Sequence, residues 1–223
     1  FKPVITMIVF TVVFGGLAEI ESDGLPYAVF SLCALVPWTY FSTAVNNASL
    51  SLVANPALVT KIYMPRLIIP SAPILAGLLD FAVAMVILLG MLFFFGIVPD
   101  AAALGMVPLL LGLTMITAAG VGFWLSALNI QYRDIKHVAP FLVQLWMYGS
   151  PVVYPMSLVP DQYRLAYSLN PLVSVVEGFR LFLAGNGTLE PRYVVVSTAV
   201  ALLLLVSGVV FFRHSERVFA DVV

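Results

Sequence analysis

Residues Ile74–Val98 read ILAGLLDFAVAMVILLGMLFFFGIV. This run of 25 residues carries one charged side chain, Asp80. It is long enough to cross a bilayer as a helix, since about 20 residues span about 30 Å of hydrocarbon. The rest of the chain has the same character: 62% of it is hydrophobic and 9% charged, whereas soluble domains are roughly 45–50% apolar. Mean hydropathy is +1.08. The few charges are clustered, which leaves further apolar runs at Tyr27–Val53, Ala101–Leu128, Val138–Tyr154 and Tyr193–Phe212, and a shorter one at Phe1–Ala18. In lipid each backbone polar group must be satisfied within its own segment, and strand-like alternation with a polar lumen face is absent, so helices are expected rather than a barrel. The sequence predicts an all-α integral membrane protein with six transmembrane helices, forming one domain over residues 1–223.

The opening run, Val4–Ala18, has 15 residues, which is short for a span. No cationic start followed by a small-residue cleavage site marks it as a signal peptide. The expectation is a truncated first span, with further residues before Phe1. Leu172–Gly185 also fails as a span. It has 14 residues, contains Glu177 and Arg180, and follows Pro151, Pro155, Pro160 and Pro171. Runs of that length are re-entrant or interfacial more often than spanning. Residues 151–187 are therefore expected as a bent helix end followed by short re-entrant helices. Glu177 and Arg180, three apart, would share a helix face and pair.

Loop cations set orientation in membranes. With the N-terminus inside, Lys2, Lys61, Arg66, Arg133, Lys136, Arg213 and Arg217 are cytoplasmic, and Arg164, Arg180 and Arg192 are outside. Both termini are then cytoplasmic and the re-entrant segment lies outside. Two inner loops stand out. Arg133, Asp134, Lys136 and His137 crowd into five residues between spans four and five. The loop Asn55–Pro70, NPALVTKIYMPRLIIP, sets Lys61, Tyr63 and Arg66 among apolar residues and suits a short helix on the membrane surface. Charge there serves topology alone, or it forms a docking face for a soluble partner; the mixture of Asp134 and His137 with the cations favours docking.

Several chemistries are excluded. There is no GxxxxGK[ST], GxGxxG or HExxH, so the chain has no P-loop of its own. The single cysteine, Cys33, permits no internal disulfide and reads as a small buried hydrophobe. A net charge of −1 gives no support to nucleic-acid binding. Ser150 and His137 do not make a hydrolytic pair, because 13 residues of helix separate them by about 20 Å. Asp80 is the clear intramembrane ionisable group. It either reaches a polar partner on a neighbouring helix or serves as a proton relay, and without a second acidic residue or His at its depth the first reading is favoured. Gly105, Gly112, Ala119 and Ser126 recur every seven residues and predict close helix packing on one face, within the subunit in preference to a dimer seam. Trp38, Tyr40, Phe41, Trp146, Tyr148 and Tyr154 lie away from the inner interface, where rings are core or line a pathway for sugars.

Three stretches carry a resemblance: LVTKIYMPRLIIP (Leu58–Pro70), LNIQYRDIKHVAPFLVQLWMYGSPVVYP (Leu128–Pro155) and LNPLVSVVEGFR (Leu169–Arg180). In this order, and with the tail RHSERVFADVV, the chain resembles the permease subunit of bacterial type-2 ABC exporters, in the branch that exports O-antigen, capsular or teichoic-acid polysaccharide. The resemblance implies a homodimer of six-helix subunits in the bacterial inner membrane, joined to two ATPase subunits that hold ATP and Mg, with no cofactor on this chain. It implies a coupling helix at Asn55–Arg66 with Lys61, Tyr63 and Arg66 as contacts, a second contact loop at Arg133 and Asp134 with Lys136 and His137, and re-entrant helices over the outer exit. The aromatics named above become candidates for the path of a lipid-linked polysaccharide. The permease of a small lipid or drug exporter is the alternative, and a proton-coupled carrier using Asp80 a more distant one.

Overall fold

A computed structural model describes residues 2–56, 64–132, 134–187 and 189–222, excluding the side chains of residues 2, 101, 102 and 217–222. Among the described residues there is no strand. Helix α1 (Lys2–Phe10) continues into a π-helical segment, Thr11–Leu17. It is followed by α2 (Tyr27–Ala54), α3 (Ile68–Phe94), α4 (Ala101–Gln131) and α5 (Ile135–Tyr148). A 3-10 turn, Met156–Leu158, precedes α6 (Asp161–Tyr167), α7 (Pro171–Ala184) and α8 (Pro191–Val222).

Among the described residues four helices, α2, α3, α4 and α8, are long and apolar enough to cross a membrane. Their burial runs opposite to their hydropathy. Helix α2 is the least apolar, and 83% of its apolar window is buried; α8 is the most apolar, and 17% of its window is buried. This is the pattern of a bundle whose solvent is hydrocarbon: the outside carries the greasiest faces, and the hydroxyls and amides turn inward. Helix α2 is the central post, with Phe30, Leu35, Phe41 and Leu52 nearly inaccessible along it.

Several expected boundaries move, each for a local reason. Span three was expected at Ile74–Val98, but α3 starts at Ile68. Pro70 lies in its first turn, where the missing N–H costs no helical bond. Asp80 is therefore the thirteenth residue of 27 in α3, at mid-helix. Span five was expected to reach Tyr154, but α5 has 14 residues and stops at Gly149, just before Pro151. At 1.5 Å per residue it is about 21 Å long, short of the bilayer. The last span, expected to end at Phe212, continues through the polar tail as α8.

The seven-residue series of small side chains does not form the tight seam. A Cβ on Gly105 or Gly112 would meet nothing within 4 Å. The closest helix approach is the α4–α8 crossing, where a Cβ on Gly120 would lie 2.6 Å from the Leu204 backbone and one on Gly208 would lie 2.4 Å from the Gly120 carbonyl oxygen. Trp124 closes this crossing by donating from Nε1 to Ser207 Oγ (3.1 Å) and stacking on Phe211 with centroids 4.0 Å apart.

Candidate functional site

The end of the bundle bearing α6 and α7 is a cap assembled from short elements. Pro171 opens α7 at a position suited to its fixed φ, and Gly185 ends the helix in the left-handed region (φ +69). Between them almost every side chain is buried, so α7 is an internal helix of the subunit. Arg180 is 2% exposed and Glu177 3%. The expected pair is formed, with Arg180 Nη1 2.9 Å from Glu177 Oε1. Arg180 Nη2 also donates to Val152 O (3.2 Å), and its guanidinium lies 3.5 Å from the Phe30 ring centroid. A guanidinium so enclosed persists only when its charge and donors are met. Here the carboxylate, a carbonyl and an aromatic face from α7, the α5–α6 connection and α2 meet them.

Three further seams close the cap, and the sequence reading singled out none of them. Tyr27, at the start of α2, donates to Val153 O (2.8 Å). Ser197 on α8 bonds Ser174 (2.7 Å) and donates to Ser168 O (2.8 Å). The Asn170 side chain caps α7 by accepting from Leu172 N (3.1 Å) and reaches the end of α5. An Asn immediately before Pro and an apolar run is an N-cap signal, so this residue could have been found in the sequence, although its tertiary partners could not.

The aromatics fall into distinct roles. Tyr40 and Phe41 are packing residues. Tyr40 donates to Ile74 O (3.0 Å) on α3, and Phe41 is fully buried, with its ring 5.6 Å from that of Trp38 and 5.3 Å from that of Trp146. Trp146 donates to Asn170 Oδ1 (2.9 Å). Tyr154 bonds Tyr148 O (3.0 Å) and the Tyr167 hydroxyl (2.6 Å). Burial, and then this bond with Tyr154, raise the Tyr167 hydroxyl well above the usual tyrosine range and keep it neutral. Tyr148 is exposed. Together with Trp38 it lines a groove of about 220 Å³ between α1, α2 and α5. Thr39, Ser42, Asn46 and Gln144 also face this groove, and Asn46 Oδ1 is buried without a hydrogen-bond partner. The groove thus pairs aromatic faces with hydroxyls and amides, the combination that holds sugars.

A second cavity, of about 450 Å³, opens on the other side of α2 towards α1 and α3. Asp80 and Thr43 lie in its otherwise mainly apolar wall. The polar partner expected for Asp80 on a neighbouring helix is not found among the described residues, and Asp80 is exposed at this cavity.

The opposite end of the bundle holds the charged loops. Lys61, Tyr63 and Arg133 lie outside the described residues, as does most of the expected coupling helix, while Asn55 is the C-cap of α2. Arg66 is committed elsewhere: its Nη1 donates to Glu216 O (2.7 Å), and its Nε lies 3.9 Å from Glu216 Oε1 near the end of α8. Asp134, Lys136 and His137 are exposed where α5 begins. No group of three His, Cys, Asp or Glu side chains able to hold a metal occurs among the described residues.

The molecule is thus a polytopic helical membrane protein, capped at one end by short helices and carrying exposed charge at the other. A family model described as ABC-2 type transporter matches residues 1–184, and the chain belongs to this family. The resemblance carried by the three sequence stretches is met. An O-antigen export system permease protein RfbA of Klebsiella pneumoniae is 28% identical over 197 residues, covering 88% of this chain and 75% of that protein. The RfbA of Myxococcus xanthus is 26% identical over 223 residues, covering 99% and 84%. The polysialic acid transport protein KpsM of Escherichia coli is 24% identical over 178 residues, covering 79% and 68%.

Proposed function

We propose that this chain is the channel-forming membrane subunit of an ATP-driven exporter of lipid-linked polysaccharide of the O-antigen, capsule or teichoic-acid type. The observation that carries the reading is the match along nearly the whole chain to a permease named for O-antigen export. In this reading two copies form the channel in a bacterial inner membrane, each with six spans: α1 with its π segment, α2, α3, α4, α5 and α8. The capped end faces outward and both termini face the cytoplasm. Two ATPase subunits bind ATP and Mg beneath the membrane, since the chain has no phosphate-binding loop of its own. The groove bearing Trp38, Tyr148, Asn46 and Gln144 is one wall of the glycan path.

The loop Arg133–His137 is the contact through which nucleotide-driven movement enters the permease. Asp134, Lys136 and His137 support this role by being exposed where α5 begins. Replacing Arg133 and Asp134 together by alanine is expected to abolish export while the partner continues to hydrolyse ATP. Parallel assays of ATP turnover and surface glycan check this, and normal export by the double variant would refute it. Co-purification with the ATPase encoded beside this gene tests the reading as a whole: a stable complex of two permeases and two ATPases is expected.

Asp80→Asn is expected to leave export unchanged, because the described residues lining the cavity include no second carboxylate and no histidine. Transport driven by a proton gradient and lost in Asp80→Asn would instead establish a carrier.

A further inference from the structure

The groove between α1, α2 and α5 is built from two stripes. On α2, Trp38, Ser42 and Asn46 recur every four residues, and on α5, Pro140, Gln144 and Tyr148 do the same. Each helix therefore presents one face to the groove along about 12 Å. The two helices run in opposite directions: Tyr27 at the start of α2 bonds Val153 just past the end of α5, and between them the rings of Phe41 and Trp146 meet edge to face. Trp38 and Tyr148 thus lie towards the cap, Ser42 and Gln144 in the middle, and Asn46 towards the charged loops.

This wall is polar and uncharged. Hydroxyls and primary amides both donate and accept hydrogen bonds, as the hydroxyls of a sugar do, and aromatic faces cover the apolar face of a sugar ring. A carboxylate or phosphate only accepts, and at membrane depth it needs a cation beside it. Among the described residues that line the groove none is charged. Charges elsewhere do not supply the cation. Arg180 is enclosed with Glu177 inside the cap. At the cap surface Arg164 is paired with Asp161 (2.7 Å) and Arg192 with Glu190 (2.6 Å). Glu19 and Glu21, by contrast, stand exposed on the segment that continues α1 past the groove. A polyanion following this wall would leave water without a counter-charge and emerge beside charge of its own sign.

We infer that the groove selects uncharged glycan: the polysaccharide carried is built from neutral sugars, and a chain with a carboxylate or phosphate in each repeat is excluded. This rests on the exporter reading above and narrows its substrate class; a second copy of the chain would bring the same neutral wall.

The test uses the permease–ATPase complex in proteoliposomes, with the lipid-linked glycan of the source bacterium as the probe. The glycan is supplied in three forms: as isolated, with its primary hydroxyls oxidised to carboxylates, and with those carboxylates then capped as methylamides. Freed of its lipid, the isolated glycan is expected to pass an anion-exchange column unretained. ATP-dependent transport of the oxidised form is expected to be at least about tenfold slower, since an unpaired carboxylate is strongly disfavoured at membrane depth, and capping is expected to restore most of it. Gln144→Arg places a cation midway along the groove and is expected to raise transport of the oxidised form relative to the isolated one. Lys2 stands one helical turn before Thr6 of the groove, with its side chain outside the described residues; Lys2→Gln is expected to leave that ratio unchanged.

An isolated glycan that carries an acid in each repeat overturns the proposal, as does an oxidised form that moves as fast as the isolated one. An oxidised form that stays slow after capping shows that charge is not what the groove reads, and an unchanged ratio in Gln144→Arg shows that the groove does not read it; either sinks the proposal, as does a ratio that falls in Lys2→Gln. In all these outcomes ATP still drives transport and the exporter reading stands. If ATP moves none of the three forms, the exporter reading fails first, and the proposal with it.

Discussion

Arg180→Ala is expected to release the cap and to cost about 3–5 kcal/mol, the usual result of removing one member of a buried ion pair. The substitution removes the cation from beside the Glu177 carboxylate, which is 3% exposed, deprives Val152 O of a donor and removes the cation from the Phe30 ring. A desolvated cation–π contact alone is worth about 2 kcal/mol. Heating the detergent-solubilised protein and following the folded fraction by gel filtration checks the direction. Two companions separate charge from shape. Arg180→Lys restores a cation but cannot direct separate donors to the carboxylate and to Val152 O, so it is expected to recover part of the loss. The double change Glu177→Leu with Arg180→Met removes both charges together and is expected to be much milder than Arg180→Ala. A double variant as unstable as the single one would show that the pair itself matters less than the fastening it provides to α2.

Gly208→Leu is expected to separate α8 from α4 and to be at least as damaging. Even a Cβ at this position would lie 2.4 Å from Gly120 O, a backbone atom that cannot rotate away. Overpacking commonly costs about 1–3 kcal/mol where side chains can yield, and here they cannot. In an ordinary helix interior, glycine is about 1 kcal/mol worse than alanine, so Gly208→Ala would stabilise a helix free of close neighbours. The opposite sign is expected here. The larger residue should also break the Trp124–Ser207 bond and the Trp124–Phe211 stack beside it. Loss of that stack can be read in the tryptophan emission, with Gly112→Ala as the control, since a Cβ there meets nothing within 4 Å.

Much of this protein was legible in one dimension, because a bilayer imposes simple rules. Length and hydropathy identified the helices as membrane-directed, and proline and glycine marked the broken segment after α5. A spacing of three placed Glu177 and Arg180 on one helical face. Asp134, Lys136 and His137 announced an exposed end by the density of their charge. These readings depend on local chemistry, which the sequence states directly. Errors arose where a local rule had to yield to position. The inner loop was expected to run to Pro70 and the span to start at Ile74, but the first turn of a helix tolerates proline, and α3 starts at Ile68. The period-seven series containing Gly105 and Gly112 had the right composition, yet the close contact fell one residue along, at Gly120, because the partner glycine lies on α8, 88 residues later.

What the fold alone decided was the function of polar and aromatic side chains in the interior. Tyr40 and Trp38 lie two residues apart on α2 and look equivalent in sequence. One is spent on a carbonyl of α3, and the other faces a groove. Arg66 carries the same charge as Lys136 but is drawn to the end of α8. Asn170 announces itself only as a helix cap, and becomes the staple of the cap because α5 happens to end beside it. Hydropathy determines that a segment enters the membrane, as a sum over residues that needs no neighbours. Which face of that segment is lined, paired or left open depends on what other helices bring to it, and that is a property of the packed bundle.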